Sequence, residues 1–212
     1  MQKFMKVSYK AIRACLPTLF FLYVRSFIYF FRKLVIRMEL QIRAGRPEEL
    51  DEIMELISRC IEVMQKGGSD QWSDDYPNRR VLEDDLRRGV LFAGELMGEI
   101  AAIVVLDEHQ DEEYETIVWR ETEGPHLLMH RLAVDPRQQG RGIARRMVGF
   151  AEAYARQQGY RSLRLDTYAR NAAALKLYRG LGYEQRGQVR FPGRIDVFPV
   201  FEKVLEAEET SR

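Results

Sequence analysis

The chain has 212 residues, 46% of them hydrophobic, which is enough apolar content for one domain with a sizeable core. Its net charge of +1 conceals a split: residues 1–37 carry eight basic side chains and no acid, leaving −7 on the remainder. A net-acidic body excludes general nucleic-acid binding, and two cysteines, Cys15 and Cys60, suggest neither a disulfide framework nor a zinc site and fit a reducing, cytoplasmic setting.

Cys15 to Val24 is an apolar run, broken by Arg25-Ser26 and resumed from Phe27 to Phe31. Each piece falls short of the ~20 apolar residues of a spanning helix, and joining them would bury Arg25 near the bilayer centre. A basic cluster follows where a secretory signal would carry small residues for cleavage. Two readings stay open. Residues 1–37 form a basic, aromatic helix lying on a membrane surface, the only membrane contact expected of this chain. Otherwise they are an upstream extension of a protein starting at Met38. The organisation expected is an extension over 1–37, a folded domain over 38–206 and a frayed polar tail over 207–212.

From Glu39 to Arg43 apolar and polar residues alternate, as in a half-buried strand. Pro47-Glu48-Glu49 suits a first helical turn, and Leu50, Ile53, Ile57, Cys60/Ile61 and Met64 then form a helical stripe ended by Gly67-Gly68. Trp72, Asp74, Asp75 and Tyr76 follow in one loop, two aromatics with two carboxylates, a set that could bind a cationic amine. The alternative is that the aromatics pack and the acids face solvent. Asn78 caps a helix to Arg88, and Val90–Leu96 with Glu99–Leu106 read as a hairpin turning at Gly98. Asp107 to Glu115 is acidic and reads as an exposed loop. Trp119 reads as an acceptor-side residue or a surface anchor. Leu127 to Val134 is a strand on which His130, Leu132 and Val134 share one face, with Arg131 and Ala133 on the other. His130 is a candidate acceptor-side residue, or a structural one. His109, His126 and His130 lack metal-ligand spacing, and no metal is expected.

The strand ends at Asp135-Pro136, and a basic loop with Gly140 and Gly142 opens a helix marked by Ile143, Met147, Phe150, Ala151 and Tyr154. Free N–H groups and the macrodipole at such a helix start suit phosphate, and glycines let the main chain approach it. The loop is neither a P-loop nor a Rossmann fingerprint, since G-x-x-x-x-G-K-[ST] is absent and position 145 is Arg145. Beyond Gly159, Ser162–Thr167 is a strand, Asn171–Gly180 a helix, and Tyr183–Phe191 with Val197–Val204 a last strand pair.

Gln139-Gly140-Arg141-Gly142-Ile143-Ala144 resembles the Q/R-x-x-G-x-G/A motif of the GNAT superfamily of acyl-CoA-dependent N-acetyltransferases. Asn171 to Tyr183 is similar to its second signature, N-x-x-A-x-x-L-Y-x-x-x-G-[FY], in the right order and at the right distance. The resemblance covers Glu39 to Leu205. It implies an α/β (α+β) GNAT fold, a mixed, mostly antiparallel sheet of about seven strands flanked by about four helices. It implies acetyl-CoA as cosubstrate, with the pantetheine arm along Leu132, Ala133 and Val134 and the pyrophosphate on the N–H groups of Gln139 to Ala144. Asn171 would bond the cofactor or serve only as an N-cap. An amine would attack the thioester, a backbone N–H near Val134 would hold the oxyanion, and Tyr178 would protonate the leaving thiolate. Otherwise Tyr178 is a core aromatic. Lysine-type amines, with pKa near 10.4, need a base to take a proton, and Asp166, Asp74 and Asp75 are the candidates. The acceptor expected is a small-molecule amine. A protein or peptide N-acetyltransferase and an acyl-CoA-binding regulatory protein are the alternatives, and a homodimer is left open.

Overall fold

A computed structural model describes residues 39–206, so the readings above for residues 1–37 and 207–212 lie outside the described residues. Residues 41–95 and 99–206 form one compact unit, which carries the cavity and loop described below. The elements are β1 (Gln41–Ala44), α1 (Leu50–Lys66, entered through a 3-10 turn), α2 (Arg79–Arg87), β2 (Leu91–Leu96), β3 (Glu99–Asp107), β4 (His126–Val134), α3 (Ile143–Gln157), β5 (Ser162–Asp166), α4 (Ala172–Gly180), β6 (Glu184–Val189) and β7 (Phe198–Val204). The strands form one sheet in the order β1-β2-β3-β4-β5-β7-β6. Its β4–β5 pair is parallel, and β1–β2, β3–β4, β5–β7 and β6–β7 are antiparallel. This is the mixed seven-stranded sheet with four helices that the sequence implied.

The helical stripe of α1 buries Leu50, Ile53, Leu56, Ile57, Cys60 and Ile61, at i, i+3, i+4 spacing. It packs with Leu82 and Leu86 of α2 over Leu91 and Ala93 of β2 and Ile103 and Val105 of β3. Between Leu91 and Ala93, Phe92 points the other way. Its ring meets Phe150 and Tyr154 of α3, both with centroids 5.1 Å away. α1 and α2 therefore cover one face of the sheet and α3 the other.

Two features of β4 organise the site. Pairing with β5 runs only through His126↔Ser162, Leu127↔Leu163 and Leu128↔Arg164, although β4 continues to Val134. The second is a bulge in the β3 pairing. Ala102 pairs Val134 and Ile103 pairs Ala133, but Val105 pairs His130, so Val104 alone opposes Arg131 and Leu132. Arg131 takes φ 50 to accommodate the extra residue.

The bulge corrects the strict alternation expected along β4. Directly opposed residues share a face, and Val105 and Ile103 both belong to the α1–α2 core. His130 and Ala133 therefore lie on the same face, not opposite ones. The acidic segment after β3 is also corrected, because its exposure is not general. Asp107 belongs to β3 and is buried, and Tyr114, in a 3-10 turn over Glu112–Thr116, is 1% exposed. Trp119 does not line the cavity described next and is half-buried. It packs at 5.8 Å from Tyr114 with the Arg164 guanidinium 3.9 Å above its ring.

Candidate active site

Asp135, at the end of β4, is 1% exposed and shapes the loop that follows. Its carboxylate accepts from the Arg137 N–H at 2.9 Å, from Arg137 Nη2 at 2.8 Å and from Arg59 Nη2 of α1 at 2.9 Å. These donors hold its carboxyl below the usual range, against the opposing pull of burial. The chain then turns through Gly140 and Gly142, both at φ 77, and enters α3. A Cβ at either would meet nothing within 4 Å, so the torsion alone calls for glycine, and the loop is open on that side. The first helical bond runs from the Arg146 N–H to the Gly142 carbonyl at 3.2 Å. The N–H groups of the turn before it have no acceptor within the helix, and the dipole adds positive charge there. Ile143 is buried and anchors the helix start, while Gln139 and Arg141 are exposed.

The edge of β4 facing the split continues this surface. Asp135 N–H donates to Ala101 O at 2.9 Å, which places a hydrogen-bonded rung at 135. Antiparallel alternation then turns the N–H and carbonyl of Val134 away from β3, towards β5. Its carbonyl accepts from Gln139 Nε2 at 3.2 Å and from Cys60 Sγ at 3.5 Å. Ala133 points into the α1–α2 core, so only its main chain is available.

Beside this edge is a cavity of about 310 Å³. The α1 side contributes Met64, Gln71, Trp72 and Tyr76; β4 contributes Met129, His130, Arg131 and Leu132; Asp166 and Thr167 close β5. Asp111, then Asn171, Ala174 and Tyr178 of the α4 region and Phe191, Pro192, Arg194 and Phe198 complete it. Of the residues expected from the sequence, Trp72, Tyr76, His130, Leu132, Asp166, Asn171 and Tyr178 thus meet in one cavity. Asp74 and Asp75 are corrected: both are exposed on the outer side of their loop and do not line it. They project to water because the loop turns through the Ser73–Tyr76 bridge, with hydrogen bonds of 2.9 and 3.0 Å.

Asn171 caps α4, accepting from the Ala174 N–H at 3.1 Å, and its amide also faces Gln71 Oε1 at 3.4 Å. Tyr178 is buried, with its ring 5.8 Å from Tyr183 and 6.1 Å from Phe201. Burial first, and then the nearby Asp166 charge, push its phenol well above the ordinary tyrosine range. Asp166 accepts a hydrogen bond from the Tyr114 hydroxyl, and burial raises its carboxyl. Burial alone would raise Asp107 as well, but His130, the His109 N–H and Arg88 hold it down at about 2.

Several positions in or beside the cavity were missed in the sequence. Arg131 lines the cavity, donates to the Tyr76 hydroxyl at 2.7 Å, and meets buried Asp85 at 2.8 Å. Asp85 left a signal: it lies between Leu82 and Leu86 on the buried face of α2, where an acid needs a partner. Asp111, Phe191 and Arg194 left none, because they arrive from loops.

The family model described as Acetyltransferase (GNAT) family matches residues 50–183. The Uncharacterized N-acetyltransferase YesJ of Bacillus subtilis (strain 168) is 28% identical over 163 residues, 76% of this chain and 88% of its own length. A crystal structure of a GNAT-family acetyltransferase from Streptococcus agalactiae 2603 is 30% identical with a TM-score of 0.70, covering 79% of this chain and 96% of that one. The fold is shared with yncA of Salmonella typhimurium, a structure with its cofactor acetyl-CoA, at 18% identity and a TM-score of 0.58, over 82% of this chain and 96% of that one.

Proposed function

Since the chain belongs to the acetyltransferase (GNAT) family, we propose that it moves an acetyl group from acetyl-CoA to the primary amine of a small molecule with an apolar or aromatic body. The observation that carries the acceptor class is the tie between two loops that bounds the cavity. The Tyr168 hydroxyl donates to the Asp70 carboxylate, Ile195 N–H donates to Asp70 Oδ2 at 2.8 Å, and Arg194 Nη1 donates to Asp70 O at 2.8 Å. These bonds tie the loop after α1 to the β6–β7 loop. The cavity volume of about 310 Å³ is at the small end for ligand pockets. Trp72, Phe191 and Phe198 offer apolar walls, and Asp111 and Asp166 offer negative charge to an ammonium.

The residues fit the cosubstrate. The open glycine loop and first turn of α3 suit a pyrophosphate, and the unpaired edge of β4 at Leu132 to Val134 suits the amide-bearing arm. Acetyl-CoA, when bound, supplies a thioester carbon open to attack by an amine. Val134 N–H points towards the split and can stabilise negative charge there. Tyr178 keeps its proton at neutral pH and can give it to a departing thiolate, whose conjugate acid has an ordinary pKa of about 8.5. The phenol is the weaker acid of the pair, so full transfer runs uphill and is drawn forward as solvent restores the phenol's proton.

The test is acetyl transfer from labelled acetyl-CoA to 2-phenylethylamine, to a peptide with a free N-terminus and to a lysine peptide blocked there. The expected result is a kcat/KM for 2-phenylethylamine at least ~100-fold above either peptide. A peptide acetylated faster than every small amine tried overturns the acceptor class. Y178F is expected to lower kcat about 10- to 100-fold while KM for acetyl-CoA stays within about threefold.

A further inference from the structure

The cavity wall holds an imidazole whose tautomer is dictated by its neighbours. His130 Nε2 lies 3.1 Å from the carbonyl oxygen of His109 and 3.3 Å from Asp107 Oδ1. Both partners are acceptors, since a carbonyl cannot donate and Asp107 is ionised above about pH 2. A neutral ring that satisfies them carries its hydrogen on Nε2, which leaves the lone pair on Nδ1. Among the described residues nothing hydrogen-bonds Nδ1, and the ring lines the cavity. Asp107 is fixed in turn: Arg88 Nη2 donates to Oδ2 at 2.9 Å and His109 N–H donates to Oδ1 at 3.0 Å. An imidazole that lines a ligand cavity, with one nitrogen tethered to an ionised carboxylate and the other without a hydrogen bond among the described residues, is the arrangement of a base and its orienting group.

We propose that His130 is the general base of the acetyl transfer and that Asp107 positions it. The proposal rests on the acetyl-transfer reading above. The amine nitrogen bonds to the acyl carbon as the carbon–sulfur bond breaks, and its proton passes to His130 Nδ1. The electron pair leaves with sulfur, which takes the Tyr178 proton, and both side chains then re-equilibrate with solvent. Asp107 stabilises the imidazolium so formed, and the nearby Asp166 adds to that attraction. Asp166 itself is engaged by the Tyr114 hydroxyl, so it shapes the field and holds that phenol. The ionisable groups facing the ring's surroundings are Asp107 on β3 with its partner Arg88, Asp111 beyond it, Arg131 on β4, Asp166 on β5, Arg194, Tyr76 and Tyr178.

The decisive variant is H130Q, whose side-chain amide can still donate to Asp107 and His109 but offers nothing in place of Nδ1. With 2-phenylethylamine as acceptor, kcat is expected to fall at least ~100-fold and the acid limb of kcat/KM to disappear, with KM for acetyl-CoA within about threefold. D107N removes the charge and keeps an acceptor, and should move the acid limb to lower pH, a change that a purely structural role would not produce. Retention of a third or more of wild-type kcat by H130Q, with the same acid limb, overturns the proposal. A second measurement needs no acceptor: long-range 1H–15N spectra of the labelled protein, with His130 assigned through H130Q. These should show the Nε2–H tautomer, and an Nδ1–H tautomer overturns the proposal. If wild type acetylates no amine, the acceptor reading fails and the tautomer alone decides this one.

Discussion

A carboxylate held by three donors resists acid in a way that can be measured. Asp107 takes up a proton in the folded chain only at about pH 2, against an ordinary value of 3.8. The unfolded state therefore binds more protons through that window, so the contribution of Asp107 to stability is fully present above pH 4 and is lost as pH falls towards 2. Urea unfolding at pH 7, 4 and 2.5 should show that loss, and D107N should flatten the curve between pH 4 and 2.5. The sequence concealed this residue. Asp107 opens an acidic run that continues to Glu115, and a run of acids ordinarily faces water. Its burial depends on Arg88, nineteen positions earlier, and on His130, neither of which a local pattern connects to it. Tyr178 and Asn171 were legible because each sits at a fixed place in a short motif, and the helix that carries them is defined by that same stretch.

At the level of elements, helix starts and ends were readable and the joints between strands were not. Asn78 and Asn171 both cap as their residue type suggests, accepting from Val81 N–H and Ala174 N–H at 3.1 Å. The β4 bulge left no trace, because nothing in His130-Arg131-Leu132 resembles the glycine that often marks one. The loop into α3 showed its glycines but not its anchor. Asp135 looked like a strand breaker, and its bonds to Arg59 and Arg137 appear only when α1 lies alongside. D135A should therefore loosen the loop, weakening coenzyme A binding at least ~10-fold by calorimetric titration and costing about 1–3 kcal/mol of stability. R137A, at a side chain 58% exposed, should leave the melting temperature close to that of wild type.

For the whole molecule, the places of the strands along the chain followed from hydrophobic runs and turn residues, and their mixed sheet from the family resemblance, while the polar ties between distant segments did not. Arg164, on β5, is 2% exposed and pairs with Glu202 of β7 at 3.1 Å. It also donates to Glu121 O at 2.7 Å and Gln110 Oε1 at 3.1 Å, while Arg120 N–H donates to Glu202 Oε2 at 2.7 Å. One buried ion pair thereby fastens the long segment between β3 and β4 to the sheet. R164M leaves Glu202 charged and buried, so it should cost about 3–5 kcal/mol and lower the melting temperature by roughly 10 °C. The R164M/E202L double variant should recover most of that loss, and circular-dichroism melts of the three proteins test both statements.

The extra residue in β4 gives the strand two reading frames. Before Arg131 the residues that face α1 fall on one parity of the numbering, and after it on the other, so His130 and Ala133 can look the same way. Any exchange of segments with a relative must respect that punctuation. Deleting one residue there would restore plain alternation and leave Ala133 in the core, whereas a segment of equal length that pairs without the bulge would turn Ala133 out and Val134 in, with no gap that a sequence comparison would flag.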